Sequence, residues 1–248
     1  MKLKTWTVGN GPRTAVLVHG ASKSADVWRD FARILVDEYD MTVMLLDQRG
    51  HGQSPRADRY HIEDFVNDLV ETLPTGLDFY IGSSLGALAG AWGASKLQPK
   101  HFIGLDPGFV IGPPFLVMAL FFQALGPFKH RVNDWMLNIP GAIPKGSAPD
   151  TLERVRVMTK QWEMSMMVQA VRSAQRRPFP VQPPAVPSTL VLAENSIVVP
   201  QKMAEELSAV GWDIRVKPGA VHDLHLQDPA GVIAMLDDVL RAKPEARR

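Results

Sequence analysis

Apolar residues along this chain fall into two alternating kinds of stretch. Short, nearly continuous runs rich in β-branched residues occur at Thr14–His19, Thr42–Asp47, Leu77–Gly82, Phe102–Asp106, Thr189–Ala193 and Asp213–Val216. Runs this short and this uniformly apolar fit strands covered on both faces of a parallel sheet. Between them lie helix-like segments: Trp28–Tyr39, Ile62–Leu73, Leu85–Lys96, Gln201–Val210 and Ala230–Ala242. The alternation predicts βαβ units and an α/β fold with a doubly wound, mostly parallel sheet. Met1–Val8 reads as an antiparallel edge strand or hairpin arm.

One stretch breaks the rhythm. Residues 109–187 contain no convincing strand but several helical patterns, and end in a Pro-rich return at Pro178, Pro180, Pro183, Pro184 and Pro187. The predicted organisation is therefore a sheet core made of residues 1–108 and 188–248, with 109–187 inserted as a helical lid over one end of the sheet.

Composition narrows the function classes. Lys and Arg number 27 and Asp and Glu 26, a formal net charge of +1. That balance argues against a general nucleic-acid binder, which needs a strong basic excess. There is no cysteine, which removes disulfides, thiolate nucleophiles and Cys-ligated metals. Met1–Gly11 lacks an apolar core of signal-peptide length, and no uncharged apolar run of roughly 18 residues occurs. The expectation is a cytoplasmic protein with no stable membrane span, no metal, no cofactor and a small-molecule substrate.

Four motifs carry chemistry. Gly82-Ser83-Ser84-Leu85-Gly86 follows a predicted strand and opens an Ala/Gly-rich helix. A sharp strand-to-helix turn admits only small neighbours, so the two glycines let Ser84 stand exposed at the strand end. The same turn aims the Leu85 N–H and the helix dipole at a developing oxyanion. Val16-Leu17-Val18-His19-Gly20-Ala21 ends another strand, and its loop can present the Ala21 N–H as a second donor; His19 itself reads as a structural hydrogen-bonder. Asp47-Gln48-Arg49-Gly50-His51-Gly52-Gln53-Ser54 reads as a polar turn bracing neighbouring loops. After the last strand, His222 lies in a loop from which a general base can swing over a nucleophile, while His225 reads as a satisfied structural side chain at the start of the final helix.

In this order the four motifs resemble the α/β-hydrolase superfamily, specifically its lid-bearing branch of esterases, lipases, thioesterases, perhydrolase-like haloperoxidases and carbon–carbon bond hydrolases. The resemblance covers Thr14–Asp106 and Thr189–Leu240. It implies Ser84 as nucleophile, His222 as base, the Ala21 and Leu85 N–H groups as oxyanion hole, and Asp47–Ser54 as a structural hallmark. It also exposes a departure: where most relatives carry the triad acid, Ala193-Glu194-Asn195-Ser196-Ile197-Val198-Val199-Pro200 has Ser196. A serine cannot stabilise an imidazolium by charge. Either the acid comes from elsewhere, the triad is degenerate, or the protein has left catalysis. The candidates for an acid are Asp106, which ends the strand next to that of Ser84 as in some lipases of the superfamily, and alternatively Glu194.

The activity implied is a serine hydrolase that cleaves an ester-type acyl bond through an acyl-enzyme, on an apolar acyl substrate. Carbon–carbon bond, lactone or perhydrolase chemistry by the same machinery is one alternative, and a non-catalytic small-molecule-binding protein is another. The large apolar residues of the insertion (Phe115, Met118, Phe121, Phe122, Phe128, Trp135, Trp162, Met164, Met166, Met167) either form the underside of its helices or line a pocket above Ser84.

Overall fold

The computed structural model describes residues 1–138, 147–162 and 164–242. Seven strands form one sheet: β1 (Thr5–Val8), β2 (Arg13–Val18), β3 (Met41–Leu46), β4 (Phe79–Ser83), β5 (His101–Leu105), β6 (Ser188–Ala193) and β7 (Asp213–Lys217). Their spatial order is β1-β3-β2-β4-β5-β6-β7. β1 pairs antiparallel with β3, and every other pairing is parallel. Parallel pairing brings the C-terminal ends of β2 to β7 to one edge, which is where the loops bearing the four motifs emerge.

The strands are uniformly apolar because both faces are buried. Along β2, Val16 and Val18 join one core while Ala15 and Leu17 join the other; β6 divides Leu190 and Leu192 from Val191 in the same way. The first core is closed by α2 (Ile62–Thr72), α3 (Leu85–Leu97) and α8 (Gln201–Ala209). The second is closed by α1 (Arg29–Tyr39) and the chain's last helices.

Between β5 and β6 come α4 (Pro113–Ala124), α5 (Lys129–Leu137), α6 (Thr151–Met158) and α7 (Met164–Arg176). Among the described residues this stretch has no strand; residues 139–146 and 163 of the predicted 109–187 insertion lie outside them. α4 packs on α7 and α7 reaches α2, whereas α6 reaches the 3-10 turn at Ala25–Trp28.

The predicted helix Ala230–Ala242 departs from expectation. The chain instead forms α9 (Leu224–Gln227), α10 (Pro229–Ala234) and α11 (Asp237–Arg241). Arg215 of β7 donates to the Met235 carbonyl and to both carboxylate oxygens of Asp238. The Arg215 guanidinium thus binds the chain at the point where α10 stops and before α11 begins.

Candidate active site

The turn between β4 and α3 sets the first side chain. Ser84 stands at φ 49°, ψ −111°, a region that L-residues occupy only when the surroundings impose it. A Cβ on Gly86 would lie 2.3 Å from the Val18 carbonyl oxygen, and one on Gly82 2.7 Å from the Ala87 nitrogen. Both positions therefore exclude a side chain. The Ser84 N–H donates to the Leu105 carbonyl at 3.1 Å, and its carbonyl accepts from Gly108 at 3.1 Å and Leu88 at 2.9 Å. Ser84 lines a cavity, whereas the preceding Ser83 is fully buried.

Asp106, immediately after β5, is also in the left-handed region at φ 43° and is 1% exposed. Its Oδ1 accepts the Ala193 N–H at 3.3 Å, and its Oδ2 lies 2.6 Å from His222 Nδ1. On the far side of the ring, His222 Nε2 lies 2.9 Å from Ser84 Oγ. Three loops thus bring Ser84, His222 and Asp106 into one hydrogen-bonded series. With Nδ1–H donating to Asp106, Nε2 is left as an acceptor that can take the Ser84 proton. Burial pulls the His222 pKa down, but the Asp106 hydrogen bond and the charges of Asp223 and Asp106 outweigh it and hold the imidazole above its ordinary value.

The other acidic candidate is engaged elsewhere. The exposed Glu194 accepts the Gly219 N–H at 3.1 Å, shaping the loop that leads to His222 rather than touching its ring. Ser196 accepts the Val199 N–H at 2.9 Å and closes a turn. His225 corrects an expectation: it is 2% exposed and packed on Trp28 with ring centroids 4.2 Å apart and the planes tilted by 33°, yet neither ring nitrogen has a hydrogen-bond partner among the described residues. Burial pushes its pKa down to about 4. It is a packed structural ring rather than a hydrogen-bonded one.

Ala21 and Leu85 both line the cavity beside Ser84. Leu85 is the first residue of α3, where an N–H has no acceptor within the helix and the dipole is positive. The loop carrying Ala21 rests on the 47–54 turn. His19, buried with its pKa lowered to about 4 by desolvation, has Nδ1 at 2.7 Å from the Gly20 carbonyl and accepts the Gln48 N–H at Nε2. The Ser22 N–H donates to His51 Nε2, and the Ala25 N–H donates to Asp47 Oδ1. Arg49 of the turn grips Asp68 with two hydrogen bonds, at 2.6 and 2.8 Å.

The cavity above Ser84 has a volume of about 200 Å³ and an apolar wall from two sources. Ile62, Leu88 and Val198 come from the sheet core, and Phe115, Met118 and Met167 from α4 and α7. The rest of the apolar set divides differently. Met166 is fully buried and Trp162 packs against the core, whereas Phe121, Phe128 and Trp135 are 54%, 60% and 67% exposed. For those three neither expected role holds, because each side chain is more than half exposed and none lines the cavity. The side chain of Met164 lies outside the described set. A larger cavity of about 670 Å³, bounded by Trp6, Arg29, Val36 and Met158 on the β1–α1 flank, contains none of Ser84, His222 or Asp106.

Two polar residues at the cavity had no signal in the sequence. Lys23 and Asp223 form an ion pair at 3.2 Å, and both line the space around Ser84. A pair separated by two hundred positions has no local spacing to reveal it.

The fold, the strained serine turn and the sheet-edge loops together define an α/β hydrolase: the chain matches the alpha/beta hydrolase family over residues 15–235 and belongs to it. Among curated proteins it is similar to the pimeloyl-[acyl-carrier protein] methyl ester esterase of Pseudoalteromonas atlantica, 26% identical over 171 residues. That match covers 69% of this chain and 58% of that protein. Among solved structures, a thermophilic esterase from Thermogutta terrifontis superposes with a TM-score of 0.75 at 19% identity, over 96% of this chain and 93% of that one. The enol-lactonase from Burkholderia xenovorans LB400 gives 0.77 at 17% identity, over 97% and 96%. Among the described residues, no helix is long and apolar enough to cross a membrane.

Proposed function

We propose that this α/β hydrolase is a serine esterase that cleaves a short, apolar acyl ester through a covalent acyl-enzyme. The observation that carries the reading is the unbroken series from Ser84 Oγ through His222 to Asp106, at 2.9 and 2.6 Å, opening onto a cavity with an apolar wall.

Ser84 Oγ attacks the ester carbonyl as His222 Nε2 takes its proton, and Asp106 stabilises the resulting imidazolium. The Ala21 and Leu85 N–H groups hold the tetrahedral oxyanion. The intermediate collapses, His222 returns the proton to the departing alcohol, and Ser84 keeps the acyl group. Water, deprotonated by His222, then attacks the acyl carbonyl; the carboxylic acid leaves and Ser84 regains its proton. The volume of about 200 Å³ lies below the ~300–1,000 Å³ of pockets that take drug-sized ligands, which supports a short acyl group. The esterase activity of the curated relative and of the Thermogutta neighbour is in keeping with this reading.

The test is labelling by a fluorophosphonate probe, followed by a panel of p-nitrophenyl esters of rising chain length. Stoichiometric labelling and hydrolysis that declines from short to long esters are expected. A folded protein that neither labels nor hydrolyses any ester would refute the reading and favour a binding role.

A further inference from the structure

Two loops meet over Ser84, and each is anchored from behind. The loop after β2, carrying Ala21, is held by Gln48, His51 and Asp47 as described above. The loop after β7, carrying His222, is held by Glu194 on the Gly219 N–H and by the Gln227 amide, which accepts from the Val221 N–H at 2.9 Å and donates to the Gly219 carbonyl at 3.0 Å. None of these bonds joins one loop to the other. Among the described residues, the polar contact that does so is Lys23 Nζ to Asp223 Oδ2 at 3.2 Å.

We propose that Lys23 and Asp223 are positioning residues: their ion pair ties the Ala21 loop to the His222 loop and balances the charge beside the imidazole, an inference that rests on the function proposed above. Lys23 lies two residues beyond Ala21, and Asp223 directly follows His222. Their side chains are 14% and 30% exposed, so the pair is only partly screened by water. A shift of one loop relative to the other would change the distance between the base and the oxyanion donors, and displacement of this kind costs rate steeply.

The pair also acts on His222 electrostatically. The charged groups facing that ring are Asp106 from the end of β5, Asp223 from its own loop and Lys23 from the loop after β2. His225, one turn further on, is held neutral by burial. Asp106 and Asp223 favour the imidazolium and Lys23 opposes it. Removing Asp223's charge therefore strips an attracting anion and leaves Lys23 unpaired, while removing Lys23 frees Asp223 to act undiminished. The two halves of one ion pair have opposite effects on the base.

The test is a side-chain NMR titration of His222 in the full chain, in wild type, Asp223→Asn and Lys23→Met, alongside kcat and KM on a short p-nitrophenyl ester. The His222 midpoint is expected to fall in Asp223→Asn and to rise in Lys23→Met. In both variants kcat should drop roughly ten- to a hundredfold with KM within about threefold. Lys23→Arg, which keeps the cation, should retain the wild-type midpoint and most of kcat, and it guards against a fold lost by truncation. Midpoints that stay put or move the same way, or a kcat unchanged in both truncations, would overturn the proposal. The titration does not depend on turnover, so an inactive wild type with oppositely shifting variants would count against the esterase reading and leave the charge balance standing.

Discussion

The sheet edge and the helical stretch that overhangs it are built on different physics. At the edge, backbone is forced into rare conformations and held there by hydrogen bonds: Ser22, Ser84 and Asp106 are three of the five non-glycine residues with positive φ among those described. The other two, Asp40 and Gln98, end helices. In the overhang, α4 carries no charged residue and is placed by apolar contact with α7, leaving Val117, Leu120 and Phe121 on the surface. A hydrogen-bonded, strained edge fixes the positions of reacting groups, as chemistry requires, since a misplacement of about 1 Å can cost about 10²-fold in rate. An apolar wall fixes only volume, which sets what fits. Changes at the edge should alter rate, and changes in the overhang should alter preference.

The largest effect expected is at Ser84. Ser84→Ala should lower kcat by about 10⁶-fold and abolish probe labelling, with Tm unchanged within about 2 °C. Retained labelling in that variant would move the nucleophile elsewhere. Next comes the acid. Asp106→Asn should cost about 10⁴-fold in kcat, because the imidazole loses the partner that fixes its tautomer, whereas Glu194→Gln should cost less than about tenfold. The reverse ranking would return the acid to Glu194.

The edge should also make the protein sensitive to acid. Burial lowers the pKa of His19 and His225 to about 4 and that of His51 to about 3, from 6.5 in a free chain. Each is therefore neutral in the folded state, while the unfolded chain binds the extra proton below pH 6.5. Their contribution to stability is full above that pH and is lost as pH falls towards 3–4. His222, whose pKa is raised, runs the other way: its contribution is full below 6.5 and lost as pH rises through its folded value. His101, away from the edge, is also lowered by burial, so four histidines oppose one and the net is a stability that falls with acid. His225→Phe keeps the ring against Trp28 and removes the titration. At pH 5 it should gain on the order of 2 kcal/mol relative to its effect at pH 8, read from urea midpoints at the two values. An identical ΔΔG at both would show that His225 is not buried neutral.

How legible each region was in the sequence follows the same division. The strands were readable because burial on both faces makes them uniformly apolar. The Ser84 turn was readable because close approach leaves only glycine at 82 and 86. His222 was separated from His225 by its place in a loop, and Asp106 was reachable once Ser196 was seen to carry no charge. Two kinds of feature were not readable. The Lys23–Asp223 pair and the packing of His225 on Trp28 join distant positions with no shared spacing. Nor did apolar content along α4 and α5 distinguish Phe115, which faces the cavity, from Phe121 and Trp135, which face solvent, since a helix that is apolar all round gives no periodicity to orient it.

That ambiguity gives the smallest predicted effect and the sharpest test of the division between edge and overhang. Phe115 and Phe121 lie on α4, six residues apart, but Phe115 lines the cavity above Ser84 and Phe121 is 54% exposed. Removing a ring from a cavity wall enlarges the space available to the acyl chain, and even a single methylene in an apolar pocket changes discrimination by about 10–200-fold. Phe115→Ala should therefore raise kcat/KM on an octanoyl ester about tenfold relative to an acetyl ester, while activity on acetate stays within about threefold because Ser84, His222 and Asp106 are untouched. Phe121→Ala deletes the same atoms from a surface that touches neither substrate nor core, and its octanoyl-to-acetyl ratio should match wild type. If Phe115→Ala instead lowered activity equally on every chain length, the overhang would be serving the geometry of the edge, and the two regions would not be separable in function. If Phe121→Ala shifted the ratio as much as Phe115→Ala, the exposed face of α4 would itself be contacting substrate.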